Sequence, residues 1–112
     1  MLPEISQIEL LAKLFRGFGD KTRLAILKSL ADSPKITSEL VKELELPQST
    51  VSTHLGCLRE CNLVTAKKQG RKVTYSLTSD LIKEIIDLAE QVLKTTYQAI
   101  WACVNYKEED KI

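Results

Sequence analysis

Two cysteines placed four residues apart are the feature of this sequence that most directly suggests chemistry. Cys57 and Cys61 lie in the stretch THLGCLRECNLV, and a third cysteine, Cys103, lies near the C-terminus. On a helix, residues four apart have Cβ atoms about 5–6 Å apart on one face, so two thiolates there can share one ion. Thiolates favour soft metal ions over magnesium or calcium. The three cysteines therefore predict a sulfur-ligated site for a soft ion.

Several ions and two other roles fit the same cysteines. Cadmium and lead(II) accept three sulfur ligands, whereas zinc prefers four ligands and would need a further one, such as water or His54. Arsenite would use the same three thiolates. A thiol-oxidation sensor is a further alternative, although a disulfide between Cys57 and Cys61 would be strained within a helix. The last alternative is that the cysteines only pack as small hydrophobic residues.

Length and composition favour one cytoplasmic domain. The chain has 112 residues, of which 44% are apolar, so it can bury a modest core to which dimerisation would add. The N-terminal stretch MLPEISQIELL carries acidic residues and no long apolar run, so we expect no signal peptide and reduced thiols. No apolar stretch is long enough to span a membrane. With one histidine, no glycine-rich phosphate loop and no CxxC motif, the sequence argues against an enzyme.

The distribution of charge favours a nucleic-acid partner, although the net charge is only +1. Between Gln48 and Ser76 the sequence has five basic residues and a single acidic one, Glu60. Four of the basic residues form the segment KKQGRK: Lys67, Lys68, Arg71 and Lys72. Such a segment can be a solvated hairpin tip or can contact DNA phosphates.

Apolar periodicity and end signals predict four helices, a β-hairpin and a final helix. Asp20 is expected to cap the second helix and Asn62 to end the fourth in a left-handed conformation. The alternating segments LVTAKKQ and KVTYSLT flank a turn at Gly70 and predict the hairpin, and the polar tail NYKEEDKI is expected to fray. The helices are expected at about residues 4–18, 20–32, 37–45, 48–61 and 79–104, and the hairpin at about 63–78. The predicted fold class is mainly α with a small β-hairpin, a winged helix-turn-helix.

This order of elements predicts how the chain would bind double-stranded DNA. The third and fourth helices form the helix-turn-helix, and the fourth places its N-terminal residues in the major groove. Small and amide side chains there can hydrogen-bond bases and phosphates, although they could also serve only as caps and solvated surface. The hairpin tip would reach the flanking phosphates. The candidate contacts on the fourth helix are Gln48, Ser49, Thr50, Ser52, Thr53 and His54.

Three segments of the sequence resemble the ArsR/SmtB family of bacterial metal-responsive repressors. They are FGDKTRLAILKSL, LPQSTVSTHLGCLRECNLV and KKQGRKVTYSL, and the resemblance extends over nearly the whole chain. Asn62 stands where the family usually has glycine, and asparagine tolerates the same backbone conformation. The resemblance implies a homodimer that binds operator DNA without metal and releases it when metal binds. The apolar first and last helices are the expected dimerisation surface.

The family has several metal sites, and this sequence matches one of them. The helix before the reading helix, TSELVKELEL, lacks the C-x-C motif of one site, and the last helix lacks the histidines of the zinc-type site. Cys57, Cys61 and Cys103 match the cadmium- and lead-sensing CmtR type, in which the third thiolate comes from the other subunit. The resemblance thus implies release of the operator on cadmium or lead(II) binding. Arsenite or thiol oxidation as the signal, and ligation by Cys103 within its own chain, stay open as alternatives.

Overall fold

The computed structural model describes the backbone of residues 5–109 and the side chains of residues 5–104. Within that range, the chain forms five helices and three strands in the predicted order, with one strand that the sequence did not predict. The helices are α1 (Gln7–Phe18), α2 (Lys21–Asp32), α3 (Thr37–Leu44), α4 (Gln48–Glu60) and α5 (Asp80–Glu109). The strands are β1 (Lys35–Ile36), β2 (Val64–Gln69) and β3 (Lys72–Leu77).

Local capping explains where several helices begin and end. The Asp20 carboxylate accepts the Arg23 backbone N–H at 2.9 Å, which caps α2 as predicted. Asn62 has φ 60°, which confirms the left-handed end after α4. The first helix begins later than the predicted residue 4, which lies outside the described residues, because the Ser6 hydroxyl accepts the Glu9 backbone N–H at 3.2 Å.

The strands form one antiparallel sheet in the order β1-β3-β2, with the hairpin as its larger part. The hairpin register runs from Val64 opposite Leu77 to Gln69 opposite Lys72, so Gly70 and Arg71 form a two-residue turn. Gly70 has φ 64° at the first turn position, where a type II′ turn favours glycine. The sequence missed β1, because two residues are too short for a visible alternation of polar and apolar side chains.

The last helix is longer than predicted. It continues to Glu109, so residues 105–109 of the tail that was expected to fray are helical. Lysine and glutamate, which make up Lys107, Glu108 and Glu109, are favourable residues for a helix, and this explains why polarity alone was a poor indicator of fraying. Residues 110–112 lie outside the described part of the chain. No helix in the described part is long and apolar enough to cross a membrane.

The hydrophobic core lies between α2, α3, α4 and the sheet. Its fully buried side chains are Ile26, Leu27, Leu40, Val51, Leu55, Leu58 and Val64. The first and last helices contribute only a few buried residues, namely Phe18, Ile82 and Ile86. Other large apolar side chains on these two helices are exposed, including Ile8 at 70%, Phe15 at 56% and Val92 at 59%. The core therefore fixes α4 and the wing firmly, and leaves apolar surface on α1 and α5 uncovered.

Candidate DNA-binding surface and thiol cleft

The N-terminal half of α4 presents polar side chains on the surface opposite the core. Val51, Leu55 and Leu58 are buried, and this orientation turns the other side of the helix toward solvent. Gln48, Ser49, Ser52 and Thr53 are exposed and Thr50 is half-buried. The Thr53 hydroxyl donates to the Ser49 carbonyl at 2.8 Å, so its proton is used within the helix. Gln48, Ser49 and Ser52 are thus the side chains best placed to contact a DNA groove.

His54 faces the body of the protein, unlike the other predicted DNA contacts on α4. Its side chain is 23% exposed, and its Nδ1 lies 3.9 Å from the Asp20 Oδ2 atom at the start of α2. This nitrogen is buried and has no hydrogen-bond partner among the described residues. The backbone N–H of Arg23, with the nearby charges of Arg23 and His54, lowers the pKa of the Asp20 carboxyl. The orientation favours packing between α4 and α2, and a DNA contact by His54 stays a prediction.

The hairpin presents its four basic residues at the tip of the wing, where all four are exposed. Opposite residues on paired strands share a face, so the register places Lys67 and Lys72 on one face of the hairpin and Lys68 on the other. Lys68 shares its face with Tyr75, which packs against the core. The outward face therefore carries Lys67 and Lys72, with Arg71 at the turn.

Cys57 and Cys61 are exposed and line one cleft, which we call the thiol cleft. The cleft lies beside the C-terminal half of α4 and has a volume of about 310 Å³. The remaining lining residues come from α1, the start of α2 and the region around α4: Lys13, Arg16, Gly17, Arg23, Leu58 and Leu63. The spacing of four residues thus gives the shared exposure that the sequence predicted for a dithiol site.

The wall of the thiol cleft that faces the cysteines is basic. The Arg23 Nε donates to the Gly17 carbonyl at 3.1 Å and its Nη2 donates to the Arg16 carbonyl at 3.3 Å, so the guanidinium caps the end of α1. Lys13 and Arg16 are exposed beside it. No sequence pattern predicts this wall, because these residues reach the cysteines only through the packing of α1 and α2 against α4.

Cys103 is exposed on α5 and is not among the residues that line the thiol cleft. The described residues of one chain contain no group of three His, Cys, Asp or Glu side chains placed to hold a metal ion. One chain therefore brings together two of the three predicted sulfur ligands, and the third would have to reach the cleft in some other way.

An apolar groove lies between α1, α2 and α5. It has a volume of about 480 Å³, and its apolar lining includes Phe15, Leu24, Ile85, Val92, Leu93 and Ile100. At its edge the Lys28 ammonium contacts the Glu90 carboxylate at 2.7 Å, and this hydrogen bond raises the pKa of Lys28. The groove joins the exposed apolar residues of the two helices that the sequence predicted as the dimerisation surface.

Comparison with known proteins gives a consistent picture. The family model described as "Bacterial regulatory protein, arsR family" matches residues 20–66, the segment from the cap of α2 into the first strand of the wing. An uncharacterized HTH-type transcriptional regulator, MJ1325 of Methanocaldococcus jannaschii, is 38% identical over 89 residues, which cover 79% of this chain and 100% of that protein.

Other relatives have names that state a regulatory role. The HTH-type transcriptional regulator CmtR of Mycobacterium tuberculosis is 43% identical over 84 residues, covering 74% of this chain and 71% of that one. A probable mercury resistance operon repressor of Streptomyces lividans is 30% identical over 98 residues, covering 88% of this chain and 78% of the repressor. Among solved structures, M. tuberculosis Rv0081 superposes with a TM-score of 0.78 and 27% identity, over 86% of this chain and 97% of that one.

Proposed function

This chain belongs to the arsR family of bacterial regulatory proteins, whose members are DNA-binding transcriptional regulators and not enzymes, and we propose that it is a homodimeric repressor controlled by a soft metal ion. In this proposal the metal-free dimer binds operator DNA in the cytoplasm. A soft, thiophilic ion, cadmium or lead(II), then binds to cysteine thiolates and causes release. Zinc and arsenite are alternative signals that the same residues could bind.

The proposed DNA contacts come from two places in the fold. The exposed Gln48, Ser49 and Ser52 would contact bases and phosphates in the major groove, since the start of α4 carries no buried side chain before Val51. Lys67 and Lys72, on the outward face of the wing, would contact the flanking phosphates. A two-fold dimer would then need an inverted-repeat operator with half-sites about one helical turn apart.

Dimerisation is supported by the uncovered apolar surface of α1 and α5. Isolated exposed apolar residues are common on soluble proteins, but contiguous apolar patches mark contact surfaces. Phe15 and Val92, each more than half exposed, line the same apolar groove. A second copy of the chain would cover this surface and add the burial that a small core lacks.

The single observation that carries the proposed signal is the position of both thiols at the C-terminal end of α4, Cys57 within the helix and Cys61 as its cap. Cys57 and Cys61 open into one cleft at the C-terminal half of the helix whose N-terminal half carries the proposed DNA contacts. Two sulfur atoms suit a soft ion, and the partner subunit's Cys103 would supply the third. A helix moves as a rigid element, so a ligand that ties one end of α4 to the partner alters how the other end meets DNA. The name of one relative, the probable mercury resistance operon repressor, supports a soft ion, and the relative CmtR represents the type that the three cysteines resemble.

The proposed control amounts to a coupling free energy between the metal site and the DNA-binding surface, and thermodynamic linkage makes this coupling reciprocal. The ion binds better to the arrangement of α4 that binds DNA less well, so DNA and ion each weaken the binding of the other. A cadmium titration of the reduced protein in the near ultraviolet, repeated on each Cys→Ser variant, tests the ligand set. Sulfur-to-metal charge-transfer intensity is expected to fall in every one of the three variants, and intensity that is unchanged in all three would contradict the proposal.

A further inference from the structure

The thiol cleft is larger than a bare metal ion requires. Its volume of about 310 Å³ lies at the lower end of the pockets that hold small molecules, about 300–1,000 Å³. Because Cys57 lies in α4 and Cys61 caps its end, an ion bound to both thiols uses only that wall of the cleft. The opposite wall, formed by α1 and the first turn of α2, would have no part in binding the ion.

That opposite wall has the charge of an anion site. Lys13, Arg16 and Arg23 line it, and no aspartate or glutamate is among the lining residues of the cleft. None of the ion pairs found in the described part of the chain includes any of these three side chains. Asp20, the cap of α2, accepts the Arg23 backbone N–H and lies outside the lining. An anionic group that enters the cleft would therefore meet the positive charges of Lys13 and Arg16 beside two thiols.

The cleft also lacks one sulfur. Its two cysteines provide two thiolates, whereas the ions of the proposed function accept three, and Cys103 of the same chain is not among the lining residues. Soft ions bind small thiols for the same reason that they bind cysteine. A small thiol with a carboxylate has both groups that the cleft is suited to receive, namely a sulfur for the ion and a negative charge for the basic wall.

We propose that, while the partner's Cys103 is not bound there, the thiol cleft binds a soft ion together with a small carboxylate-bearing thiol, whose sulfur takes the third ligand position and whose carboxylate is held by Lys13 and Arg16. This inference rests on the proposed function, since it requires Cys57 and Cys61 to bind the ion. For a divalent ion M brought as M(SR)₂, the cysteine thiols replace one small thiolate. The products are an anionic complex of M with Cys57, Cys61 and one RS⁻, one released RSH and one released proton, and no electrons are transferred.

The test uses the full-length Cys103→Ser protein, so that a third sulfur can come only from an added thiol. The reduced protein receives one equivalent of cadmium and is titrated with 3-mercaptopropionate, 2-mercaptoethanol or cysteamine, which are similar in size and differ in charge. Native mass spectrometry detects the complex of protein, cadmium and thiol, and near-ultraviolet intensity reports the added sulfur. The affinity of each thiol is then compared between protein variants. Differences in sulfur chemistry among the three thiols therefore do not affect the comparison.

Two double variants with the same change in charge separate the cleft from general electrostatics. In Lys13→Gln/Arg16→Gln, added to Cys103→Ser, we expect affinity for 3-mercaptopropionate to fall about fivefold and affinity for 2-mercaptoethanol to stay the same. Cysteamine should bind that variant slightly better. In the control Lys42→Gln/Lys83→Gln, exposed residues of α3 and α5 outside the cleft lining, all three affinities should be retained.

The outcomes distinguish this inference from the function on which it rests. Any of three results would overturn the inference. The first is equal affinity for the anionic thiol with and without Lys13 and Arg16, the second is an equal loss of affinity in both double variants, and the third is the absence of any ternary complex. In those cases a cadmium–thiolate band in the wild-type protein without added thiol would leave the proposed function standing. Absence of that band would overturn both.

Discussion

Cys57 lies in the C-terminal half of α4 and Cys61 caps its end, and the two thiols, one turn apart, open into the same cleft. The buried Leu58 between them packs in the core and also lines the cleft. The proposed DNA contacts lie at the other end of α4, at Gln48, Ser49 and Ser52. In the proposed function, this arrangement places the metal-binding thiols and the DNA contacts on α4 and its C-terminal cap.

Cys57→Ser and Cys61→Ser should separate DNA binding from metal response. Both side chains are exposed, so each variant should fold with stability close to wild type, within about 0.5 kcal/mol. Each should bind operator as wild type does and should no longer release it on addition of cadmium. Fluorescence anisotropy of a labelled operator, selected from a random duplex pool, measures the effect, and thermal melting provides the folding control. Release of both variants at the wild-type cadmium concentration would show that these thiols are not the sensor.

Mixed dimers should decide from which chain Cys103 acts. A heterodimer is prepared with two affinity tags from one Cys57→Ser/Cys61→Ser chain and one Cys103→Ser chain. Ligation between subunits leaves this heterodimer one complete three-sulfur site, whereas ligation within one chain leaves none. We expect the heterodimer to show three-sulfur charge-transfer intensity for one cadmium per dimer, and each parent homodimer to lack it. A heterodimer no different from its parents would contradict ligation between subunits.

The two faces of the wing should differ in their contribution to DNA binding. Lys67→Gln or Lys72→Gln removes a charge from the outward face, and each should weaken binding to all sequences and reduce the salt-dependence slope by about 1. Lys68→Gln has the same change of charge on the face directed toward the core, and should have a smaller effect. Operator affinity measured at several salt concentrations gives the slopes. An equal slope change in all three variants would contradict this orientation of the wing.

The apolar groove should be required for the dimer but not for the fold of the monomer. Val92→Glu places a charge in the groove at a side chain that is 59% exposed in the single chain. Leu81→Glu introduces the same charge on the same helix at a residue that is 65% exposed and outside the groove lining. Sedimentation at micromolar concentration should find folded monomer for Val92→Glu and dimer for Leu81→Glu. A dimer in both cases would mean that another surface holds the subunits together.

The cap of α2 should make a pH-dependent contribution to stability. Because the Arg23 backbone N–H lowers the pKa of Asp20 in the folded protein, the ionised carboxylate stabilises the fold above the ordinary aspartate pKa of about 3.9. This contribution is lost as the pH falls through the folded-state pKa. Asp20→Ala should therefore lower Tm at pH 7, and the difference from wild type should shrink below about pH 4. Asn is also a good N-cap, so Asp20→Asn is the matched control and should lose less at pH 7. A Tm difference for Asp20→Ala that is independent of pH would contradict the charged cap.

Much of the fold was predictable because its signals are local. The structure confirms four predictions that depend only on neighbouring residues. They are the helical periodicity, the Asp20 cap, the left-handed Asn62 and the alternation around Gly70. The strand β1 was missed, since two residues pair with β3 only after the hairpin has formed. The helical residues 105–109 were missed because charge was taken as a sign of fraying.

The candidate site was predictable only in part. The spacing of Cys57 and Cys61 predicted their shared face, since four residues make about one helical turn. The basic wall formed by Lys13, Arg16 and Arg23 has no signature in sequence, because three-dimensional packing alone brings it to the cysteines. The inward orientation of His54 toward Asp20 likewise depends on how α2 packs against α4.

The measurement that tests the central claim most directly is operator affinity of the reduced wild-type dimer with and without one equivalent of cadmium per site. A coupling of about 3 kcal/mol predicts that the ion lowers operator affinity on the order of 100-fold. Lead(II) and arsenite in parallel titrations identify the preferred ion. If operator affinity is the same in the presence and absence of all three, the cysteines of α4 do not control DNA binding.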